Sequence, residues 1–160
     1  MEGKRVLVTG SSRGIGKAIA MRLAQDGWDV ALHYGVDADE AKRTKKALGR
    51  KSKGVYAADL NSIENATKLW KEALEDGPIH AVVNNAGVYM PLDFVRSGEQ
   101  AFKANWHRTF AINFESPLML TRLACRHFAS NGGGKVLNVA SRVGFKGEGG
   151  AALYAASKGA

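Results

Sequence analysis

Tyr154 and Lys158 stand four residues apart near the end of a 160-residue chain, a spacing that stacks two side chains on one face of a helix. A phenol ordinarily titrates near pH 10, so exchanging a proton at neutral pH asks for a shift of about three units, or roughly 4 kcal/mol. An ammonium one turn away and a helix N-terminus both favour phenolate over phenol, which makes the pair a candidate general acid or base. Ser141 directly follows the apolar run that begins at Lys135 and thus projects from the carboxyl edge of a sheet, where open α/β sheets bind ligands. Each has an ordinary reading when taken singly, as a pair of surface neighbours and a turn serine.

Gly10-Ser11-Ser12-Arg13-Gly14-Ile15-Gly16 separates a short apolar run from an amphipathic one. Glycines there permit positive φ and let a pyrophosphate approach backbone N–H groups at a helix N-terminus. The spacing Gly-x-x-x-Gly-x-Gly departs from the common Gly-x-Gly-x-x-Gly dinucleotide fingerprint, and a tight strand-to-helix turn wants glycine on its own account. Two other motifs overlap it. Gly10–Gly14 also satisfies Gly-x-Ser-x-Gly, the nucleophile elbow, so a serine hydrolase remains a remote alternative. A P-loop is excluded, because Gly10 lies one position too far from Gly16 and Ala18 stands where a magnesium-binding hydroxyl is needed.

Short β-branched runs alternate with stretches of helical period, which is the signal for βαβ units around a parallel sheet. Strands are expected near 5–9, 29–34, 54–58, 79–83 and 135–140, each nearly continuous in apolar residues and so suited to burial on both faces. The first helix, expected over 14–26, sets Ile15, Ile19 and Leu23 on one stripe. The third sets Ile63, Ala66, Leu69, Trp70, Ala73 and Leu74 at spacings of three and four. Asn61 followed by Glu64 suggests its start, and Gly77-Pro78 its stop. Gly132-Gly133-Gly134 marks a flexible loop before the fifth strand. Right-handed crossovers then predict an α/β fold with an open, doubly wound parallel sheet, Rossmann-like, as a single domain over 1–160.

A net charge of +8 and 45% apolar positions are ordinary for a globular chain and exclude disordered and collagen-like classes. The N-terminal segment is too short in apolar residues for a secretory leader or a membrane span, so a cytoplasmic location is expected. Cys125, the only cysteine, forms no intrachain disulfide and reads as a buried structural thiol. Lys42, Arg43, Lys45, Lys46, Arg50, Lys51 and Lys53 form a basic window without an acid, expected to be a solvated helix face. An acidic carrier protein is the alternative partner; nucleic acid is not expected, since no aromatic residues interleave to stack bases. His33, His80, His107 and His127 form no metal-ligand spacing and read as structural; no metal is expected.

Thr9-Gly10-x-x-x-Gly14-x-Gly16, Asn84-Asn85-Ala86-Gly87 after the fourth strand, Asn113, Ser141 and Tyr154-x-x-x-Lys158 together resemble the short-chain dehydrogenase/reductase family in identity, order and spacing. Asp59-Leu60 after the third strand, where the family contacts adenine, and Trp106 ahead of Asn113 in a long helix add to the likeness. The subgroup it is most similar to is the 3-oxoacyl-acyl-carrier-protein reductases. The resemblance implies an NAD(P)-dependent oxidoreductase in which Tyr154 is the general acid for carbonyl reduction and Ser141 holds the substrate oxygen. It implies that Lys158 lowers the phenol's pKa and binds the nicotinamide ribose, and that Asn113 fixes a water relaying protons to that lysine. The cofactor would rest on Gly10, Ser12, Arg13, Gly14, Ile15, Gly16, Tyr34, Asp59, Leu60, Asn85, Ala86 and Gly87, with Tyr154 and Lys158 at its nicotinamide end. The substrate is expected to be a small carbonyl or alcohol, such as a carrier-bound acyl chain, and the complete form a homo-oligomer.

NADP is the expected cofactor. His33-Tyr34-Gly35 ends the second strand where an NAD site usually carries an acid, and Arg13 is placed to meet a 2′-phosphate. Asp37 curling back to the ribose would restore NAD. Pro117 has no N–H to offer the Asn113 carbonyl four residues earlier, so it either frees that carbonyl for a bound water or kinks a long helix. Family members continue well beyond Tyr-x-x-x-Lys, so a chain truncated at its C-terminus is expected, with the fifth strand as an uncovered edge. The alternative is a catalytically inactive nucleotide-binding or assembly module.

Overall fold

In a computed structural model describing residues 3–160, strands and helices alternate along the chain. They are β1 (Arg5–Val8), α1 (Gly14–Gln25), β2 (Asp29–Tyr34), α2 (Ala38–Leu48), β3 (Ser52–Ala57), α3 (Ile63–Glu75) and β4 (Ala81–Asn84), followed by α4 (Glu99–Phe110), α5 (Ser116–Ala129), β5 (Lys135–Asn138), α6 (Val143–Lys146) and α7 (Ala152–Gly159). All strand pairs are parallel, in the order β3-β2-β1-β4-β5. The order reverses between β1 and β4. In open sheets of this kind the crevice for a ligand lies outside the carboxyl ends of the strands at that reversal.

β1 and β4 are buried along their whole length, which accounts for the unbroken apolar runs Val6-Leu7-Val8 and Ala81-Val82-Val83. Side chains alternate between the faces of a strand, so Leu7 and Val82 pack under Leu69, Trp70, Leu120 and Phe128, while Val6, Val8 and Val83 pack with Ala20, Val30 and Leu32 on the other side.

β1 opens on Arg5, which is buried. Its guanidinium donates to the carbonyls of Ala73 (2.6 Å), Gly77 (2.9 Å) and Lys53 (2.7 Å), and to the Tyr56 hydroxyl, which in turn donates to Asp76 (2.6 Å). Burial first, and then the hydrogen bond to Asp76, push the Tyr56 phenol up to about 12. Removing that hydroxyl leaves a buried guanidinium N–H and a carboxylate without their common partner. Tyr56→Phe is therefore expected to cost about 1–3 kcal/mol, read as a lower urea midpoint at unchanged m-value.

Several details differ from the expectations. Ile15 is 67% exposed, and the buried positions of α1 are Gly16 and Ala20, because the first turn of this helix faces a cavity instead of the sheet. α3 is capped by Ser62, whose hydroxyl accepts the Asn65 N–H, one residue later than the Asn61 start. Cys125 is exposed and not a core thiol; the buried stripe of α5 is Leu120, Ala124 and Phe128, and Cys125 falls beside it. The basic window is solvated as expected, with Lys42 and Arg43 paired to Asp39 and Glu40 on the same helix. α4 and α5 form one rod broken by a wide π turn over Ala111–Glu115, in which the Ser116 N–H reaches back to the Ala111 carbonyl. Pro117 follows at the second residue of α5, within the first turn, where a missing N–H costs little. β5 is the last strand of the sheet on its side, and Leu137 there is 52% exposed. No described helix is long and apolar enough to cross a membrane.

Candidate active site

The glycine turn leaves β1 at the sheet's carboxyl edge and enters α1, with Gly10 at φ +62° and Gly14 at φ +55°. It is braced from three sides. Asn85 donates its side-chain amide to the carbonyls of Thr9 (2.9 Å) and Gly10 (3.1 Å), and the Thr9 hydroxyl accepts the N–H groups of Asn85 and Ala86 (both 3.0 Å). The Thr44 hydroxyl of α2 donates to the Ser12 carbonyl (2.7 Å). From β2, the His33 imidazole accepts the Gly10 N–H. Arg13 precedes α1 in an extended conformation with no side-chain cap, which leaves the first N–H groups of the helix facing the crevice.

A cavity of about 550 Å³ lies over this turn. Gly10, Ser12, Arg13, Gly14, Ile15 and Gly16 line it, together with the adjoining Asn85, Ala86 and Gly87. Asp59 and Leu60 close one end together with Arg108 of α4, whose guanidinium lies 3.4 Å from the Asp59 carboxylate. Tyr34 does not line it; the wall at the end of β2 is made by His33, Gly35, Val36 and Asp37 instead, since alternation along the strand sends residue 34 to the other face.

The second half of the arrangement comes from the segment after β5. Ser141, half-buried, starts a turn into the short helix α6, which the sequence pattern did not reveal. α6 lies close on α7: a Cβ at Gly144 would come within 2.6 Å of the Lys158 carbonyl oxygen. α7 carries Tyr154, Ser157 and Lys158. The Lys158 ammonium donates to the Val139 carbonyl (3.1 Å), and burial lowers its pKa from the usual lysine value. The Tyr154 ring meets Tyr89 edge-on, with centroids 5.1 Å apart.

Asn113, in the π turn, ties these pieces together. Its side chain accepts the Val88 N–H (2.8 Å) and donates to the Val88 carbonyl (2.9 Å) and the Ser157 hydroxyl (3.0 Å); Ser157 in turn donates to the Tyr154 carbonyl (2.8 Å). Gly87 sits where the two halves meet, since a Cβ there would lie 3.6 Å from the Lys158 ammonium and 3.3 Å from the Asn113 amide oxygen. Lys158 and Asn113 also border a smaller cavity of about 240 Å³, which Asn84 and Ser157 line as well. Tyr154 and Ser141 line neither cavity.

From sequence, His33 reads as structural, and Thr44, Tyr89 and Arg108 are passed over. None belongs to a motif; only the position of His33 at the end of the second strand, directly beside Tyr34, offered a signal. Burial holds the His33 pKa down at about 4, against a hydrogen bond to Ala58 that raises it. An imidazole whose pKa is lower in the folded state takes up its proton more readily when the chain unfolds. Its contribution to stability is therefore complete above about pH 6.5 and falls as pH drops towards 4, by roughly 3 kcal/mol over that window. Thermal melts of the native chain and His33→Asn between pH 4 and 7 check this: the native midpoint should fall more steeply with acid than the variant's.

A family model described as short chain dehydrogenase matches residues 4–160. The chain belongs to the short-chain dehydrogenase family. Among its relatives is a 2-dehydro-3-deoxy-D-gluconate 5-dehydrogenase of Escherichia coli, 34% identical over 99% of the chain and 61% of that protein. A hydroxynaphthalene reductase of Aspergillus fumigatus is also 34% identical, over the whole chain and 58% of its own length. Among solved structures, a short-chain dehydrogenase/reductase mutant of Serratia marcescens superposes with a TM-score of 0.85 at 33% identity. A blue fluorescent protein from a metagenomic library, in complex with NADPH, gives 0.84 at 33% identity. Both superpositions cover 99% of this chain and 64% of the other. The chain thus spans about three fifths of the curated relatives it matches and shares the Rossmann-like sheet of these solved structures.

Proposed function

We propose that the chain is the dinucleotide-binding and proton-transferring part of an NADP(H)-dependent oxidoreductase that interconverts a carbonyl and an alcohol. The observation that carries this reading is the meeting of two independent pieces at Gly87: a glycine-walled cavity on one side, and the Lys158 ammonium with Asn113 on the other. A nucleotide's adenine end fits between Asp59, Leu60 and Arg108, and its pyrophosphate fits the uncapped N-terminus of α1. The residues present fit NADPH, which when bound supplies the hydride. Tyr154 is then the proton donor to the carbonyl oxygen, and Ser141 the hydroxyl that holds that oxygen. Lys158 holds the ribose hydroxyls beside Gly87, and Asn113 keeps α7 in register with the β4 loop.

One feature favours NADP over NAD. Asp37 lines the cavity while capping α2 through the Glu40 N–H (3.0 Å), but Arg13 faces the same cavity from the glycine turn, where its guanidinium can meet a 2′-phosphate. Arg13→Ala is accordingly expected to weaken NADPH binding about tenfold, the loss of one charge-assisted contact, while leaving NADH binding nearly unchanged. Isothermal titration of both dinucleotides checks it.

The substrate is proposed to be a small ketone or a 3-oxoacyl thioester, presented free or on a carrier, in a cytoplasmic setting. A homo-oligomer is proposed for the complete form, with Trp106 (46% exposed) and Leu118 (56% exposed) on the α4–α5 rod as the apolar surface to be covered. The test of function is loss of NADPH absorbance that depends on an added carbonyl compound. Saturable NADPH binding with no consumption across a panel of ketones and 3-oxoacyl thioesters would instead identify a nucleotide-binding module.

A further inference from the structure

We infer that His33 is a positioning residue for the dinucleotide turn, acting as a neutral imidazole with its proton on Nε2 and its bare Nδ1 fixing the Gly10 N–H. The inference rests on the proposed dinucleotide reading and names a part of that site which no catalytic or cofactor motif contains.

The partners settle the tautomer. His33 Nε2 lies 2.9 Å from the Ala58 carbonyl oxygen, which only accepts, so Nε2 carries the proton. The Gly10 N–H only donates, and it points at Nδ1 at 3.0 Å, so Nδ1 is bare. His33 is 2% exposed, and each ring nitrogen has one of these two protein partners. The backbone of His33 makes the same connection a second time. Its carbonyl accepts the Ser11 N–H (2.9 Å), and its N–H donates to the Ser11 hydroxyl (3.0 Å).

One side chain therefore spans three consecutive strand ends of the switch-point edge: Gly10 after β1, its own place in β2, and Ala58 after β3. Gly10 has φ +62°, a conformation that turns the chain away from the strand direction. A donor anchored there sets the direction in which the following turn, Ser11 to Gly14, leaves the sheet. That direction decides whether the first N–H groups of α1 aim into the cavity. With Nδ1 removed, the half-buried Gly10 N–H loses its protein partner, and the turn relaxes to find another.

Two variants that differ by one methylene separate the imidazole's two contacts. His33→Asn places an amide oxygen where Nδ1 was and keeps an acceptor for Gly10; His33→Gln reaches towards Ala58 and leaves Gly10 bare. Isothermal titration with NADPH is expected to give an Asn variant within about threefold of the native Kd and a Gln variant weaker by about tenfold or more. Circular dichroism and melting midpoints confirm that both fold. Nitrogen-15 spectra of the native chain supply a reading that needs no variant, and should show Nε2 protonated and Nδ1 not. Equal Kd values for native, Asn and Gln chains overturn the inference, as does a proton on Nδ1. Should one variant fail to fold, the tautomer and the remaining variant decide on the same terms. If the native chain itself binds no NADPH, the dinucleotide reading fails and this inference falls with it, an outcome distinct from native binding that His33 does not influence.

Discussion

Tyr154→Phe is expected to lower carbonyl-dependent NADPH consumption by about 100-fold or more, the usual contribution of a positioned general acid, while leaving the Kd for NADPH within about twofold. The substitution removes one oxygen and keeps the ring. The edge-on contact with Tyr89 survives, and so does the hydrogen bond from Ser157 to the residue 154 carbonyl, because that bond belongs to the backbone. α7 keeps its seat on α6 through Gly144 and Gly159, neither of which touches the phenol. What disappears is the only hydroxyl on α7 one turn ahead of Lys158. Steady-state assays paired with isothermal titration separate the two effects. A variant that retains a third or more of the native rate shows that another group donates the proton.

Gly16→Ala is expected to produce the largest loss of binding and stability together. An added Cβ would overlap the Gly10 carbonyl oxygen and the Asn85 side-chain amide, neither of which is the free end of a flexible side chain. Asn85 cannot swing away without giving up both of its bonds to the turn, to Thr9 and Gly10. Overpacking of this kind costs about 1–3 kcal/mol in folding, and the turn that relieves it no longer aims its N–H groups at the cavity. A drop of several degrees in melting midpoint together with NADPH affinity too weak to titrate is the expected outcome. Gly14→Ala differs in cause: nothing lies within 4 Å of its would-be Cβ, so its cost comes from φ +55° alone and is smaller.

The parallel sheet and most strand positions were readable because a strand covered on both faces must be apolar throughout, and Val6-Leu7-Val8 and Ala81-Val82-Val83 leave no other use for such runs. Periodicity served α3 well, where Ala66, Leu69, Trp70 and Ala73 are buried as their spacing requires. It misled at α1, because Ile15 belongs to the helical stripe yet sits in the first turn, above the crevice where no sheet lies beneath it. Cys125 shows the same limit: one step around the helix from Ala124 turns a core position into an exposed one.

The candidate site was legible where a motif fixed a backbone conformation, as at Gly10 and Gly14, and illegible where two distant segments meet. Nothing local in the chain says that His33 reaches Gly10, or that Arg108 lies against Asp59, since those contacts depend on the register of β1, β2 and α4 in three dimensions. The π turn at Ala111–Glu115 is likewise a response of one helix to its neighbours, and only Pro117 hinted that the hydrogen-bond ladder would be interrupted there.

A crystal structure of this chain grown with NADP⁺ tests the proposed function most directly. The proposed function places the pyrophosphate on the N–H groups that open α1, the 2′-phosphate beside Arg13, and the nicotinamide ring at Gly87 between Lys158 and the Tyr154 hydroxyl. Nucleotide density elsewhere, or a ring pointing away from α7 with Tyr154 out of reach of its C4 carbon, contradicts it.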